Sequence, residues 1–335
     1  MPARDQAIEL IRQSKDVFVG THVRPDGDAL GSLLGLSLAL EKAGLRVARL
    51  CADPVPGVYA FLEKSDQMRA EPPEWRPQLG LVADCDGLAR LGPLTSSFAS
   101  LPHLVDMDHH ASNQSFGQVR LIDPSAGACA EIVHDLISGL GVPLDEGIAT
   151  CLYTGVLTDT GRFCYPNTTA ASLRIAAELV AAGARPGFIA RKVYAENSIA
   201  ATHLLGVALS RLAVHLGEQV VSAALTRADF TATGAVSADT EGIIDHLRAI
   251  GGPRVALLFV QLENGEVRVS LRSDGSVDVS AIALGFRGGG HAMAAGCTCA
   301  GSVEQVQRQV LSAVEKWLSA SGPAQESRSG SDHDG

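Results

Sequence analysis

Short, mostly apolar runs alternate with helical segments over the first half of the chain. The runs are DVFVG, RVARLC, GLVA and HLVDM, and the segment ALGSLLGLSLALEKAGL has the length and spacing of a helix. Strands that are apolar throughout, rather than at every second position, are typical of a parallel sheet that helices cover on both faces. From residue 16 to about residue 186 the pattern therefore predicts an α/β domain with a doubly wound, mainly parallel sheet.

Acidic and histidine residues follow these runs and are predicted to meet at one edge of the sheet. In chain order they are His22, Asp26 and Asp28, then Asp84, then Asp108, His109 and His110, and later Asp159 at a helix end. The carboxyl ends of parallel strands share one crevice, where ligands bind in such sheets. Because several carboxylates in one crevice repel one another strongly, the pattern indicates bound cations.

The first group of these residues has an alternative explanation in local backbone structure. Pro25, Asp26 and Gly27 are a favourable turn sequence, and Asp28 could cap the helix that follows. Recurrence of acidic and histidine residues after the other strands favours the cation site.

The number and type of candidate ligands predict two divalent cations. One ion takes roughly four to six ligands, so this set together with water exceeds the needs of one ion and fits a pair about 3.5 to 4 Å apart. Mixed Asp and His ligands disfavour Mg²⁺, and the absence of Cys ligands disfavours a structural zinc site. Mn²⁺ is therefore the first choice.

The second half of the chain has the pattern of a smaller α+β domain. It contains the strand VVSAALT, the helix TEGIIDHLRAI and the strands VALLFVQL and EVRVSLRS, which are joined through Asn264 and Gly265. A final helix begins at Ser302, which forms a capping-box sequence with Gln305. Residues 168–211 are predicted to form two helices, of which the second links the domains.

The chain is therefore predicted to have two domains, a linker and a tail. The boundaries are 1–190 for the first domain, 191–215 for a helical linker, 216–318 for the second domain and 319–335 for the tail. The tail is polar and rich in Gly and Ser, which predicts disorder. A length of 335 residues fits two domains of roughly 100 to 200 residues each.

Charge and composition limit the partners and the location. The net charge is −10 and aromatic residues make up 4%, which disfavours binding to long duplex DNA. Seven Cys residues without a CxxC pair indicate reduced thiols. No long apolar stretch and no apolar signal segment are present, so the sequence predicts a cytoplasmic protein that does not contact membranes.

The acidic and histidine motifs, in this order, resemble those of the DHH phosphoesterase superfamily. In the second half, Gly288, Gly289, Gly290 and His291, preceded by SLRS at 270–273, resemble the DHHA1 domain of oligoribonucleases and 3'-phosphoadenosine 5'-phosphate phosphatases. The resemblance covers about 300 residues. It implies a catalytic, metal-binding DHH domain followed by a substrate-binding DHHA1 domain.

The resemblance also implies roles for residues of the first domain. One cation would be held by His22, Asp26 and Asp84, and the other by Asp28, Asp84, His109 and Asp159, so Asp84 would bridge them. The candidate catalytic residues are Asp84 and His110. His110 would face substrate as a phosphate-binding or proton-donating group. Asp108 would orient a histidine.

Candidate substrate contacts lie mainly in the second domain. They are Arg272, Ser273, Gly288, Gly289, Gly290 and His291, together with Arg162 of the first domain. Three consecutive glycines could form a nest of N–H groups around a terminal phosphate, with Arg272 and His291 as charged partners. A flexible turn and a solvent-facing Arg272 are the alternatives. Arg162 has two alternative roles, a salt bridge that supports the site and a direct contact with phosphate.

The function implied by the resemblance is hydrolysis of short oligonucleotides and of 3'-phosphoadenosine 5'-phosphate. Two cations sharing a water would lower its pKa for in-line attack on phosphorus. A phosphodiesterase for cyclic di-AMP or linear dinucleotides would need only a different pocket shape. A family II inorganic pyrophosphatase would share the metal motifs but have a different second domain. A non-catalytic nucleotide-binding sensor is the alternative from another class.

The expected partners follow from this function. Short oligonucleotides and phosphorylated nucleotides would be substrates, whereas long duplex DNA and membranes would not be bound. The sequence leaves open whether the protein forms a homodimer.

Overall fold

The structure is a computed structural model, which describes residues 2–196 and 198–320. The chain divides into two compact units, residues 1–196 and 197–335. The tail predicted at 319–335 lies outside the described residues from position 321 onward. Within the described parts of the chain, no helix combines the length and the apolar character needed to cross a membrane.

The first unit contains a parallel sheet of five strands. These strands are β1 (Asp16–Gly20), β2 (Arg46–Leu50), β3 (Leu79–Ala83), β4 (His103–Asp108) and β5 (Val119–Ile122). Their order is β2-β1-β3-β4-β5, and every neighbouring pair is parallel. The order of the strands reverses between β1 and β3, so the carboxyl ends of these two strands flank the point where such sheets bind ligands.

Helices cover both faces of this sheet, as predicted. They are α1 (Ala3–Gln13), α2 (Gly27–Lys42), α3 (Thr95–Ala99), α4 (Cys129–Leu140), α5 (Glu146–Asp159), α6 (Ala170–Ala181) and α7 (Pro186–Tyr194). In β1, Val17 and Val19 pack into one apolar cluster, whereas Phe18 packs into another. Alternate side chains of a strand point to opposite faces, so both faces of β1 are buried in apolar surroundings.

Small residues allow α2 and α5 to approach closely. A Cβ atom added at Gly31 of α2 would lie 2.4 Å from the carbonyl oxygen of Cys151 in α5. A Cβ atom added at Gly155 of α5 would lie 2.6 Å from Oδ1 of Asp28. The close approach places the start of α2, which carries Asp28, beside the C-terminal half of α5, which ends at Asp159.

The second unit contains a mixed sheet of six strands. They are β6 (Ala213–His215), β7 (Val220–Leu225), β8 (Val255–Gln261), β9 (Val267–Ser273), β10 (Gly289–His291) and β11 (Ala294–Cys299). The order is β10-β11-β9-β8-β7-β6, in which only the β7–β8 pair is parallel. The helices are α8 (Ile199–Ser210), α9 (Arg227–Thr233), α10 (Ile243–Arg248), α11 (Val279–Leu284) and α12 (Val303–Ala320). The predicted α+β pattern of this half is confirmed.

Two details of α12 and β9 agree with the sequence pattern. Ser302 and Gln305 form the capping box, because the backbone N–H of Gln305 donates to Ser302 Oγ and the N–H of Ser302 donates to Gln305 Oε1. In β9 the residues Val267, Val269 and Leu271 are buried, and the alternate residues are less so up to Arg272.

The prediction of two helices over 168–211 is wrong, because three helices occupy this segment. Gly183 has φ 114°, a conformation that ends α6, and Pro186 begins α7. The third helix, α8, buries Leu204 and Ala208 in an apolar cluster of the second unit. The predicted linker 191–215 therefore includes a helix that packs within the second unit.

Replacing Gly31 by Ala should lower the free energy of unfolding by about 1 to 3 kcal/mol, the range for overpacking a tight core. The new methyl group would meet the α5 backbone, which has no side-chain rotamer to relieve the clash. Urea unfolding followed by circular dichroism measures the change. Gly187→Ala in α7 is the control, since Gly187 has no atom within 4 Å of an added Cβ and should tolerate Ala. Equal stability of the two variants would contradict the tight α2–α5 contact.

Candidate metal centre

The loop after β1 places His22 and Asp26 at the switch point of the sheet. Thr21, which is buried, donates its hydroxyl hydrogen to the carbonyl of Ala83 at 2.8 Å and so ties the end of β1 to the end of β3. His22 Nδ1 lies 2.8 Å from the carbonyl of Val23. Asp26 is the N-cap of α2, and its Oδ1 accepts from the N–H groups of Asp28 and Ala29.

Asp28 lies in the first turn of α2 but accepts hydrogen bonds from another helix. Its carboxylate receives the N–H groups of Cys129 at 2.6 Å and Ala130 at 3.0 Å, at the start of α4. The Ser32 hydroxyl also donates to it at 3.1 Å. The alternative that Asp28 caps the following helix is therefore wrong, because Asp26 does so. Asp28 is held across about a hundred residues of sequence by the N–H groups of α4.

Asp84, directly after β3, lies at the centre of the site. It has φ 56°, a left-handed conformation that is uncommon for residues other than Gly and concentrates at functional sites. The residue is 2% exposed, and its Oδ1 has no hydrogen-bond partner among the described residues. Its Oδ2 lies 3.6 Å from His22 Nε2, and its Oδ1 lies 3.7 Å from His109 Nε2.

His109 points its Nε2 atom at three carboxylates. The distances are 3.3 Å to Asp159 Oδ2, 3.7 Å to Asp84 Oδ1 and 3.9 Å to Asp28 Oδ2. Its Nδ1 lies 3.1 Å from the carbonyl of Ala126. A carbonyl oxygen only accepts, so Nδ1 carries the hydrogen and Nε2 of the neutral ring is left to bind a ligand. The Nδ1 contact of His22 with Val23 has the same consequence.

His110 has a carboxylate rather than a carbonyl behind its ring. Its Nδ1 lies 2.6 Å from Oδ1 of Asp108, which is fully buried. Asp108 Oδ1 also accepts the backbone N–H groups of His109 and His110. Asp108 is thus engaged in orienting its neighbours, as the sequence predicts.

The pKa values of Asp28, Asp84 and Asp159 are all shifted from their usual range. Burial and the charge of Asp84 raise the pKa of Asp28 to about 7, and burial together with Asp28 and Asp84 raises the pKa of Asp159. Burial opposes ionisation of Asp84, but the neighbouring His22 ring and the charges of His110 and His109 hold its pKa below the usual range.

Histidine protonation partly offsets the negative charge of the carboxylates. Burial lowers the pKa of His22, but the nearby carboxylate of Asp84 and the charge of Asp26 raise it to about 9. Burial likewise lowers the pKa of His110, but Asp108 and Asp84 raise it to about 9. Burial also lowers the pKa of His109, and Asp84 and Asp28 raise it above its usual value.

The residues fit divalent cations. Ligand atoms of His22, Asp26 and Asp84 lie within 4.8 Å of one another, and so do those of Asp28, Asp84 and His109. Both groups contain Asp84, whose buried Oδ1 lacks a hydrogen bond. Asp159 is the last residue of α5, where the helix dipole disfavours a negative charge. Positive charge between these carboxylates would relieve each of these costs.

Arg162 lies in a strained turn just after Asp159. Gly161, Arg162 and Phe163 have consecutive positive φ angles of 54°, 63° and 62°. No ion pair of Arg162 is present among the described residues, so the salt-bridge alternative is not observed. Its guanidinium instead lies 4.8 Å from the ring centroid of Tyr194.

Arg272 and Ser273 lie at the end of β9 in the second unit. Arg272 Nε is 3.6 Å from Asp245 Oδ1 in α10, and both side chains are partly exposed. The Ser273 side chain is buried, and its Oγ accepts the N–H groups of Gly275 and Val277. Sequence reasoning missed Asp245, which has no motif of its own.

The glycine-rich segment forms an edge strand, β10, rather than the predicted nest or its alternative, a turn. A Cβ atom at Gly288 would lie 2.2 Å from the carbonyl oxygen of Gly296, and one at Gly290 would lie 2.5 Å from that of Ala294. These glycines thus let β10 lie against β11, whereas Gly289 has open space beside it. His291 is exposed. An edge strand presents some backbone N–H groups away from its sheet, so donors to an anion remain available.

Comparison with known proteins identifies both halves of the chain. Residues 16–156 match the DHH family, N-terminal domain, and residues 204–320 match the DHHA1 domain. A protein from Thermus thermophilus named bifunctional oligoribonuclease and PAP phosphatase NrnA is 36% identical over 309 residues, which cover 91% of this chain and 91% of that protein. This chain belongs to the DHH family. The resemblance inferred from the motifs is confirmed.

Two further relatives extend the comparison. The Bacillus subtilis protein of the same name is 28% identical over 299 residues, covering 88% of this chain and 93% of that one. A crystal structure of an exopolyphosphatase-related protein from Bacteroides fragilis has a TM-score of 0.89 and covers 96% of this chain and 98% of that chain, at 24% identity. The latter likeness shows the fold of the DHH and DHHA1 halves.

Asp84→Asn should weaken cation binding throughout the centre, because Asp84 belongs to both ligand groups. Asp26→Asn should weaken only one site, since Asp26 belongs to one group. Titration calorimetry with Mn²⁺ should therefore give two ions for the wild type, about one for Asp26→Asn and weak or no binding for Asp84→Asn. Asp86→Asn is the control, because Asp86 lies outside both groups and contacts Arg90 and Ser112. Two tight sites in Asp84→Asn would contradict a shared ligand.

Proposed function

We propose that the chain is a two-metal phosphoesterase that hydrolyses short oligonucleotides and 3'-phosphoadenosine 5'-phosphate in the cytoplasm. The observation that carries the proposal is the pair of candidate ligand groups that share the buried carboxylate of Asp84. The names of the Thermus and Bacillus relatives, which cover most of the chain, support the substrate classes.

The candidate ligands divide as the family resemblance implies. His22, Asp26 and Asp84 would hold one cation, and Asp28, Asp84, His109 and Asp159 would hold the other, with Mn²⁺ the first choice because both nitrogen and oxygen ligands are present. When bound, the cations supply Lewis acidity toward a phosphoryl group and lower the pKa of water at the site.

His110 would hold or donate a proton on the substrate side. Its Nδ1 lies 2.6 Å from Asp108 Oδ1, which fixes the orientation of the ring. The side chain is 18% exposed, which leaves it accessible from outside the buried cluster. A protonated imidazole there would stabilise negative charge on the phosphoryl oxygens or protonate the leaving oxygen.

Residues of the second unit would select the substrate. Arg272 is partly exposed at a strand end, and its contact with Asp245 at 3.6 Å is loose enough to be exchanged for a phosphate. His291 and the outward N–H groups of β10 would add further contacts, and Gly289 leaves room beside them. Ser273 is the weakest member of the proposed set, because its hydroxyl already accepts two backbone hydrogen bonds. The exposed guanidinium of Arg162 is proposed to contact phosphate from the first unit.

A substrate panel with purified protein and Mn²⁺ tests the proposal. The panel contains RNA dinucleotides to pentanucleotides, 3'-phosphoadenosine 5'-phosphate, cyclic di-AMP, its linear product and pyrophosphate. We expect turnover of the short RNAs and of the bisphosphate nucleotide. Faster turnover of cyclic di-AMP would favour the cyclic dinucleotide alternative, and turnover of pyrophosphate alone would favour a pyrophosphatase. Binding without turnover of any compound, with both metal sites filled, would identify a sensor and refute the proposal.

Arg272→Ala and His110→Ala should have different kinetic effects. Loss of Arg272 should raise KM for 3'-phosphoadenosine 5'-phosphate roughly 10- to 100-fold with little change in kcat, since a charged hydrogen bond to substrate is lost. Loss of His110 should lower kcat roughly 100-fold or more, because proton transfer in the transition state is lost. Steady-state kinetics measures both. Arg308→Ala, at an exposed position on α12, is the control and should leave both constants unchanged. A kcat effect for Arg272 without a KM effect would contradict the assigned roles.

A further inference from the structure

Asn113 lies in the loop after β4 and hydrogen-bonds to the carboxylate behind His110. Its Nδ2 donates to Asp108 Oδ2 at 2.8 Å. The other oxygen of Asp108, Oδ1, faces His109 and His110, where it accepts two backbone N–H groups and contacts the His110 ring. Among the described residues, Asn113 is the hydrogen-bond donor to Oδ2. Oδ1 of Asp108 therefore contacts the two histidines, and Oδ2 accepts the hydrogen bond from Asn113.

The surroundings make this second contact important. Asp108 is 0% exposed, so an Oδ2 atom without a donor would be buried and unsatisfied, or the carboxylate would rotate to find one. Asp106 lies two residues earlier on β4, is also 0% exposed and points to the same face of the strand. Asn113 Nδ2 is 3.5 Å from Asp106 Oδ1 as well. One amide group thus contacts two buried carboxylates.

Three further contacts hold Asn113 in place, two through its side-chain amide and one through its backbone. Its Oδ1 accepts the N–H of Ser115 at 2.6 Å, and its backbone N–H donates to the carbonyl of His110 at 3.1 Å. Its Nδ2 also lies 3.3 Å from the carbonyl of Cys85, one residue after Asp84. Since the oxygen is engaged with Ser115, the nitrogen end must point toward Asp108. The loop therefore presents a hydrogen-bond donor in a fixed direction.

We propose that Asn113 is a positioning residue, whose amide holds Asp108 in the orientation that aims the His110 ring at the substrate. The chain of contacts runs from Asn113 Nδ2 to Asp108 Oδ2, and from Asp108 Oδ1 to His110 Nδ1. This inference rests on the proposed role of His110 in phosphoester hydrolysis. Among the described residues, the Asn113 side chain has no hydrogen bond to the side chain of a proposed metal ligand, so its effect passes through Asp108.

Two variants separate the donor from the shape of the loop. Asn113→Ala removes the whole amide. Asn113→Asp keeps the size of the side chain and an oxygen for the Ser115 N–H, but it removes the donor and places a charge against Asp108. Both should lower kcat roughly 10- to 100-fold, the usual effect of losing a partner that orients a catalytic group, with KM changed less than about twofold. Mn²⁺ stoichiometry should match the wild type for Asn113→Ala, whereas its melting temperature should fall, because Asp108 Oδ2 loses its buried donor.

A double-mutant cycle tests whether Asn113 acts through His110. In a His110→Ala background, adding Asn113→Ala should lower kcat by less than about twofold, because the group that Asn113 positions is already absent. A reduction by the same factor in both backgrounds would show a general structural role and overturn the proposal. Gln118→Ala is the matched control, since Gln118 anchors the same loop to the backbone of Leu104 and Pro102 without touching Asp108.

A measurement without metal or substrate gives an independent result. In the metal-free protein labelled with ¹⁵N-histidine, the His110 Nδ1–H signal should be protected from exchange in the wild type and lost or shifted in both Asn113 variants. An unchanged His110 signal together with unchanged kcat would overturn the proposal. If the wild type hydrolyses no compound of the panel, the proposed function is refuted. The His110 signal still decides whether Asn113 controls the orientation of the His110 ring.

Discussion

Repulsion among buried carboxylates at the carboxyl edge of the first sheet is the constraint on which the site depends. Asp28 and Asp84 are almost fully buried, and with Asp159 they all lie within 4 Å of the same nitrogen of His109. In a low-dielectric interior such a set is stable only if it binds protons, is paired with positive charge or receives strong hydrogen bonds. Backbone N–H groups and histidine side chains compensate some of these charges, and the remaining negative charge makes the cluster suitable for cations.

The helix dipole acts in opposite directions on the carboxylates of Asp28 and Asp159. Asp28 receives the free N–H groups at the start of α4, where the helix dipole favours negative charge. Asp159 ends α5, where the dipole disfavours it. The close α2–α5 contact at Gly31 and Gly155 brings these two carboxylates to the same histidine. Asp28 is therefore stabilised by backbone N–H groups, whereas the group beside Asp159 is the His109 ring, whose Nε2 lies 3.3 Å away.

Local patterns in the sequence predict most of this architecture. The apolar runs locate four of the five strands of the first sheet, and the rule that parallel strands share a carboxyl edge brings His22, Asp84 and His109 together. Contacts over long separations in sequence were not predictable. The hydrogen bonds from Cys129 and Ala130 to Asp28 span more than 100 residues and involve backbone groups, which leave no signature in residue type.

The glycine-rich segment shows a different reason for failure. Three consecutive glycines are compatible with a nest, a turn or a strand, because glycine excludes almost no backbone conformation. What decides the outcome is the neighbour: β11 offers the carbonyl oxygens of Gly296 and Ala294 where side chains of residues 288 and 290 would have to lie. Close pairing of β10 with β11 therefore requires glycine at positions 288 and 290. β10 is too short to give a periodic pattern of apolar residues in the sequence.

The adjacent residues His109 and His110 show how a single hydrogen-bond partner separates chemical roles. Each ring has its Nδ1 atom against an oxygen, which belongs to the carbonyl of Ala126 for His109 and to the carboxylate of Asp108 for His110. A neutral carbonyl fixes the tautomer without adding charge, which suits the proposed role of His109 as a cation ligand through Nε2. A carboxylate fixes the ring and also favours the protonated form, which suits the proposed contact of His110 with a phosphoryl oxygen. β4 ends at Asp108, whose Oδ1 accepts the backbone N–H groups of both histidines but contacts only the ring of His110, so the two adjacent rings have different partners.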